Sequence, residues 1–478
     1  MEKRGVFQGL LAASQRLSMA AAMTLAACAT PAAAAETYDV VIAGGRVMDP
    51  ETGLDSVRDV GIRSGRIAEI ARSPLKAPVR IDATGLVVAP GFIDLHSHAT
   101  SHETATYQAF DGVTTRLELE LGVYPVADWY NAKAGHELLN YGAAVSHHRV
   151  RYALQAGGPS ALSGPDRSRS DEPRIRAVIP STSYDDFIPT MEAGLLEGAL
   201  GIGSGTQYAP GIARFEMLDL AKLAARRGAC IFTHVRFGSL VEPGSTLEAI
   251  QEVVANAALT GSCLHVVHLN SMAMSSTPDM LVLLNQAKAS GVDVSTEIYP
   301  WDASNDRIRS VIFDPGWEAR WGVKPEDLQS KASGRRLTRE SFDALRRGTA
   351  DDGVLMHMNT ETTIEAALRD PLVLIASDSL DIPDRLAHPR SAGTFARVLG
   401  HYVRDRGTLD LMTALRKMTL MPARRLETFA PSMRRNGRVQ VGADADLVVF
   451  DPAAIAARAA YLDAKQRSVG MRHVLVNG

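Results

Sequence analysis

Short apolar runs alternate with helical patterns through most of this chain. Tyr38-Asp39-Val40-Val41-Ile42-Ala43-Gly44-Gly45 is an alternating strand that ends in a glycine turn. Further strand-and-turn units follow at Ser64-Gly65-Arg66-Ile67 and Leu86-Val87-Val88-Ala89. Near the other end, Gly442-Ala443-Asp444-Ala445-Asp446 leads into the apolar strand Leu447 to Phe450, and His473 to Val476 adds one more. These terminal pieces predict one small β-sandwich domain built from residues 36–90 and 431–478. Between them, over residues 91–430, short apolar strands alternate with helices, which favours a closed parallel (β/α)8 TIM-like barrel over an open sheet. The stretch 305–349 breaks the rhythm. It is polar, with Pro315, Gly316, Gly334, Trp317 and Trp321, and its place between two strands predicts an excursion over the barrel mouth.

The first 35 residues, 1–35, differ from the rest. Lys3, Arg4 and Arg16 precede an apolar stretch from Leu17 to Ala27, too short to span a bilayer. This reads as an export signal. Leu25-Ala26-Ala27-Cys28 resembles a bacterial lipobox, which would make Cys28 a lipidation site and anchor the protein to a membrane. Ala33-Ala34-Ala35 before Glu36 fits ordinary cleavage and a free periplasmic protein instead. The first reading is preferred because it accounts for the cysteine; both give an exported protein. Two cysteines remain. Cys230 lies four residues before His234 and Cys263 five before His268, so period-two counting points the thiols to opposite sides of their strands. Buried free thiols are expected, despite an oxidising compartment.

With 478 residues, a large domain plus a smaller one is the natural division. Hydrophobic residues at 46% and charged residues at 22% suit a soluble globular enzyme. A net charge of −3 without a basic cluster argues against nucleic acid as a partner.

The strongest local signal is Pro90-Gly91-Phe92-Ile93-Asp94-Leu95-His96-Ser97-His98. A turn opens an apolar strand that ends in two histidines on one face, where both can reach one metal. Arg116-Leu117-Glu118-Leu119-Glu120-Leu121-Gly122 places Glu118 and Glu120 on a common face. Such an acidic face in a barrel strand is costly unless it meets cations, either metal ions or, in a salt bridge, Arg116 or a nearby lysine. Glu120, nearer the C-terminal end, is the expected bridging ligand, and Glu118 the fallback or a supporting residue behind it. Phe232-Thr233-His234 and Val266-Val267-His268-Leu269-Asn270 each end an apolar strand in a histidine, and Leu374-Ile375-Ala376-Ser377-Asp378 ends another in a carboxylate. His265, an odd number of residues from His268, is left out of the set.

From residue 38 to 478 the chain resembles the amidohydrolase superfamily, and within it the D-aminoacylase (N-acyl-D-amino-acid deacylase) group. The resemblance rests on Glu192-Ala193-Gly194, the run from Gly201 to Gly211, Tyr299-Pro300, and His388-Pro389-Arg390-Ser391-Ala392-Gly393-Thr394-Phe395. Lys417-Met418-Thr419 to Pro422-Ala423 and Ala445 to Phe450 carry it to the end. It implies a site with Zn2+, as one or two divalent ions, in which His96 and His98 hold the exposed position and His234 and His268 the buried one. Asp378 would be the catalytic acid/base, while Tyr208, Tyr299 and Arg390 would bind substrate, Arg390 through a carboxylate. His147 falls on the family's strand-three histidine, with a supporting role as open as a catalytic one. The chain departs from the family in two ways that bear on the site. Glu-Leu-Glu-Leu stands where a bridging cysteine is typical, which bears on metal identity. Asn270 stands where a substrate-contacting lysine is common, which bears on the substrate. The chain also ends at Val476-Asn477-Gly478, where relatives continue.

The implied reaction is hydrolysis of the amide bond of N-acyl-D-amino acids, water being activated by the metal and Asp378 moving the proton. The small-molecule substrate would be an N-acyl amino acid or a dipeptide. A dipeptidase or cyclic-amide hydrolase on the same scaffold is the alternative, and a non-catalytic metal-binding lipoprotein a remote one.

Overall fold

The computed structural model describes residues 38–162, 173–349 and 352–478. The leader, with Cys28, lies outside the described residues. Tyr38–Gly478 forms one compact unit.

Eight parallel strands make the barrel wall, in the order Phe92–Asp94, Val113–Val123, Asn140–Ser146, Ile202–Gly205, Cys230–His234, Cys263–Val266, Val294–Ile298 and Val373–Ile375. The first and last strands close on each other through a parallel bridge between Ser97 and Ser379. Nitrogen of His98 donates to the Ser379 carbonyl at 2.8 Å, and nitrogen of Ser379 to the His96 carbonyl at 3.3 Å. The helices between strands follow from their patterns. Thr246–Thr260 starts where the Ser245 side chain caps the nitrogen of Glu248, buries Ala249, Ile250, Val253 and Ala257 on one side, and stops at Gly261 with φ of 72°.

Strands from both chain ends share one seven-stranded sheet beside the barrel, where Leu447–Phe450 pairs with both Val87–Pro90 and Met471–Leu475. The strands of the two terminal patterns thus meet in a single sheet. Inside the barrel, Ile93, Leu95, Leu117, Leu119, Phe232 and Leu374 form a dry floor. Charges placed above it are poorly screened from below.

The excursion is more than a polar loop. Ala303–Arg307, Leu328–Ser330 and Gly353–His357 form a three-stranded antiparallel sheet. Its apolar side, with Ile308, Phe313, Trp317, Trp321, Phe342 and Val354, is a core of its own. The two tryptophans of the polar stretch thus hold the excursion together.

The cysteines correct the expectation of free thiols. Cys230 and Cys263 form a disulfide, with their Cα atoms 4.4 Å apart. They are register partners at the starts of neighbouring parallel strands, so their side chains leave the sheet together. Counting back from His268 misled because the strand ends at Val266 and His268 has φ of 29°, where two-residue periodicity no longer holds.

Candidate metal centre

All the singled-out histidines of the cluster stand just at or beyond the C-terminal ends of barrel strands, where side chains from different strands converge. Nε2 of His96 lies 3.0 Å from Nε2 of His98 and 3.2 Å from Oε2 of Glu120. Nε2 of His98 is 3.0 Å from the same oxygen. The other oxygen of Glu120 meets Nδ1 of His234 at 2.8 Å and Nε2 of His268 at 3.1 Å. Oδ1 of Asp378 completes the ring, 3.5 Å from Nε2 of His96 and 3.6 Å from that of His98. Three overlapping triads can each hold an ion: His96, His98 and Glu120; His96, His268 and Asp378; and Glu120, His234 and His268.

The donor chemistry fits a divalent cation. Four imidazoles and two carboxylates face one small buried region, and His96 and His98 present ring nitrogens to each other at a separation that one proton can bridge for only one pair at a time. Imidazole and carboxylate together are zinc-type donors, harder than a set containing thiolate. Burial pushes the Glu120 carboxyl up, but the charge of His96 and the bonds from His234 and His268 outweigh it and hold it well below its ordinary range. A permanently ionised carboxylate at the centre of the set is what a bridging ligand requires.

The two acidic residues of the second strand separate in role. Glu120 touches His96, His98, His234 and His268, whereas Glu118 accepts from Nδ1 of His98 at 2.7 Å. Arg116, the alternative partner, is committed to Glu137.

Two carboxylates behind the site went unassigned in the sequence. Glu297 lies 2.6 Å from Nδ1 of His96 and, through its other oxygen, 3.0 Å from Nε2 of His265. It was legible by the logic applied to Glu118 and Glu120, being an acid in the apolar strand Val294–Ile298 and two residues before Tyr299. Asp94, two residues before His96, accepts from the Ser377 nitrogen at 2.9 Å and from the Ser377 hydroxyl. It ties the first strand to the eighth one residue before Asp378, and burial raises its carboxyl to about 6. Asp378 itself has φ of 51°, a conformation that a non-glycine residue keeps only when its surroundings hold it.

The expected substrate contacts divide. Arg390 is buried, Nη2 is 2.9 Å from Oδ1 of Asp378, and its Nε has no hydrogen-bond partner among the described residues. Its guanidinium lies over the Tyr299 ring at 4.7 Å, and the Tyr299 hydroxyl meets Ser271. Tyr208 packs against His234 with ring centroids 4.6 Å apart. Asn270, expected at the substrate, is wholly buried, donates to the Tyr299 carbonyl at 3.1 Å, and lines neither cavity of the site. Its position in the short helix Leu269–Ala273, after the turn at His268, aims it at the seventh strand. His147 bonds Ser204 at 2.8 Å and Glu216 at 3.3 Å, within a buried group that includes Arg151. It touches none of the converging ligands, and it is the next residue, His148, that lines the larger cavity.

That cavity, about 780 Å3, opens over His98, Glu120, Asp378 and Arg390 and is walled on one side by the excursion. A small recess of about 30 Å3 adjoins it, between His234, His268 and Tyr299 and the apolar side chains Met272, Ile312, Trp321, Met356 and Met358.

The model of the amidohydrolase family matches residues 87–478. The chain is 33% identical to N-acyl-D-glutamate deacylase of Alcaligenes xylosoxydans xylosoxydans over 466 residues, 93% of each chain. It is 30% identical to D-aminoacylase of the same organism, covering 93% of this chain and 94% of that one. Among solved structures, N-acyl-D-glutamate deacylase of Bordetella bronchiseptica, in complex with zinc and a phosphonate inhibitor, superposes with a TM-score of 0.77 at 26% identity, over 93% of this chain and 96% of that one. Barrel, converging ligands and comparisons agree, and the chain belongs to the amidohydrolase family.

Proposed function

We propose that the protein is a zinc-dependent N-acyl-D-amino-acid deacylase. The observation that carries this reading is Arg390, a buried cation with an unpartnered Nε, on the cavity wall 2.9 Å from Asp378. It offers a receptor for an α-carboxylate beside the group that would handle protons, and a free α-carboxylate next to a scissile amide is what an N-acyl amino acid presents.

His96, His98, His234, His268 and Glu120 would hold the ion, which when bound lowers the pKa of water and polarises a carbonyl. The chain's own residues do the rest. Glu297 accepts the Nδ1 proton of His96 and so turns Nε2, unprotonated, toward the ligand cluster. Arg390 and Tyr299 orient the substrate through its carboxylate. Asp378 takes a proton from the attacking water and returns it to the amide nitrogen, which leaves poorly unless protonated. The small recess, with Met272, Ile312, Met356 and Met358 on one side of it, would take a short acyl group, and the side chain then extends into the larger cavity. The D configuration is supported by what the relatives are named for.

The test is amine release from N-acetyl-D- and N-acetyl-L-amino acids and from dipeptides by metal-reconstituted protein. Turnover of the D-amides supports the proposal, and release from L-substrates alone overturns it. Export belongs to the same reading and is supported by the leader pattern and by a disulfide suited to an oxidising compartment. Loss of detergent-phase partition on Cys28→Ala would support lipid anchoring through Cys28.

A further inference from the structure

The larger cavity is rich in cations, and nearly all are already engaged. Arg116 and Lys133 share Glu137. Arg149 reaches the Tyr124 carbonyl at 3.4 Å, and the exposed Arg309 reaches that of Gly348 at 3.4 Å. Lys331 differs. It follows the strand Leu328–Ser330 of the excursion, lines the cavity together with Asp378 and Arg390, and has no hydrogen bond or salt bridge from its ammonium among the described residues. Its stem runs along Gly353, where an added Cβ would lie 2.9 Å from Cδ, so a glycine makes room for this lysine. The two acids that act on it from nearby are engaged elsewhere: Asp352 takes the Ser330 hydroxyl at 2.7 Å, and Asp384 takes the Leu386 nitrogen at 2.7 Å. Burial and the charge of Arg390 both push the Lys331 ammonium down. Asp384 and Asp352 offset this only in part, and an amine with no acid bonded to it among the described residues, on such a cavity, is poised for an anion.

Beyond the sixth strand, the short helix Leu269–Ala273 brings Asn270, whose amide nitrogen donates to the Tyr299 carbonyl, and so adds no second cation. The geometry points to Lys331, reaching in from the excursion, as the receptor for a second carboxylate, so that the substrate class is N-acyl amino acids with an acidic side chain, the α-carboxylate on Arg390 and the side-chain carboxylate on Lys331. This rests on the deacylase reading for the reaction, though not for the binding.

Two measurements test it. In the first, kcat/KM is compared for N-acetyl-D-glutamate and N-acetyl-D-methionine in the wild type and in Lys331→Met. The wild type prefers the acidic substrate, and the variant loses about 10- to 100-fold on it, chiefly in KM, while the methionine substrate changes far less. An equal loss on both, or a wild type that prefers methionine, overturns the assignment. In the second, calorimetry compares binding of glutarate and butyrate to the metal-loaded protein, independently of turnover. The wild type binds the dicarboxylate more tightly, Lys331→Met abolishes the difference, and Lys331→Arg keeps part of it. If no amide is hydrolysed but glutarate selectivity depends on Lys331, the deacylase reading fails and the dicarboxylate site stands. If the wild type binds both acids equally, the site fails whatever the turnover.

Discussion

Nδ1 of His96 lies 2.6 Å from Oε1 of Glu297, with both side chains shut off from water. Because the same carboxylate also meets His265, Glu297 cannot relax without disturbing two imidazoles. Removing its charge should leave the His96 tautomer undefined. Glu297→Gln should weaken metal affinity by about 10- to 100-fold, read by chelator competition. Unchanged affinity would reduce Glu297 to a packing role.

Asp378 stands between the ligand cluster and Arg390. Asp378→Asn keeps the shape and removes the base. Turnover should fall by at least about 100-fold while metal content, measured by atomic emission, stays close to that of the wild type. A variant that hydrolyses amides at the wild-type rate would remove Asp378 from the chemistry.

The Cys230–Cys263 disulfide closes a separation of 33 residues between adjacent strands. A cross-link of that span typically contributes about 2–4 kcal/mol, largely by restricting the unfolded chain. Urea unfolding of the double serine variant should show a loss of this size. Alkylation of the denatured, unreduced protein should leave both thiols unlabelled.

Glu216, wholly buried, accepts from Arg151, from His147 and from the Ala213 nitrogen. Burial pushes its carboxyl up, but His147 and Arg151 prevail and bring it from 4.5 to about 2. A depressed carboxylate adds stability above its unfolded value, and that contribution is lost as pH falls toward the folded one. Between about pH 5 and about pH 3 the wild type should lose about 2 kcal/mol that Glu216→Gln, already destabilised, does not lose. Parallel pH slopes in denaturant titrations of the two proteins would contradict this.

What could be read along the chain was what neighbouring residues decide together. The spacing of the chain put His96 near His98 and marked Glu120 in its strand, and alternating patterns over long stretches pointed to the barrel and to the strands at the two ends. Alternation stops where a strand stops. His268 and Asp378 sit past their strand ends at φ of 29° and 51°, and there counting could no longer say which way a side chain, or a cysteine measured from it, would face. Pairings across the barrel depend on register and closure instead. Glu297 reaches His96 over 201 residues, Cys230 meets Cys263 because two parallel strands start level, and Lys331 reaches the cavity because a separate small core folds the excursion back over it. No local period encodes such meetings, because they are set by the summed packing of the whole barrel, and only the tertiary structure decided them.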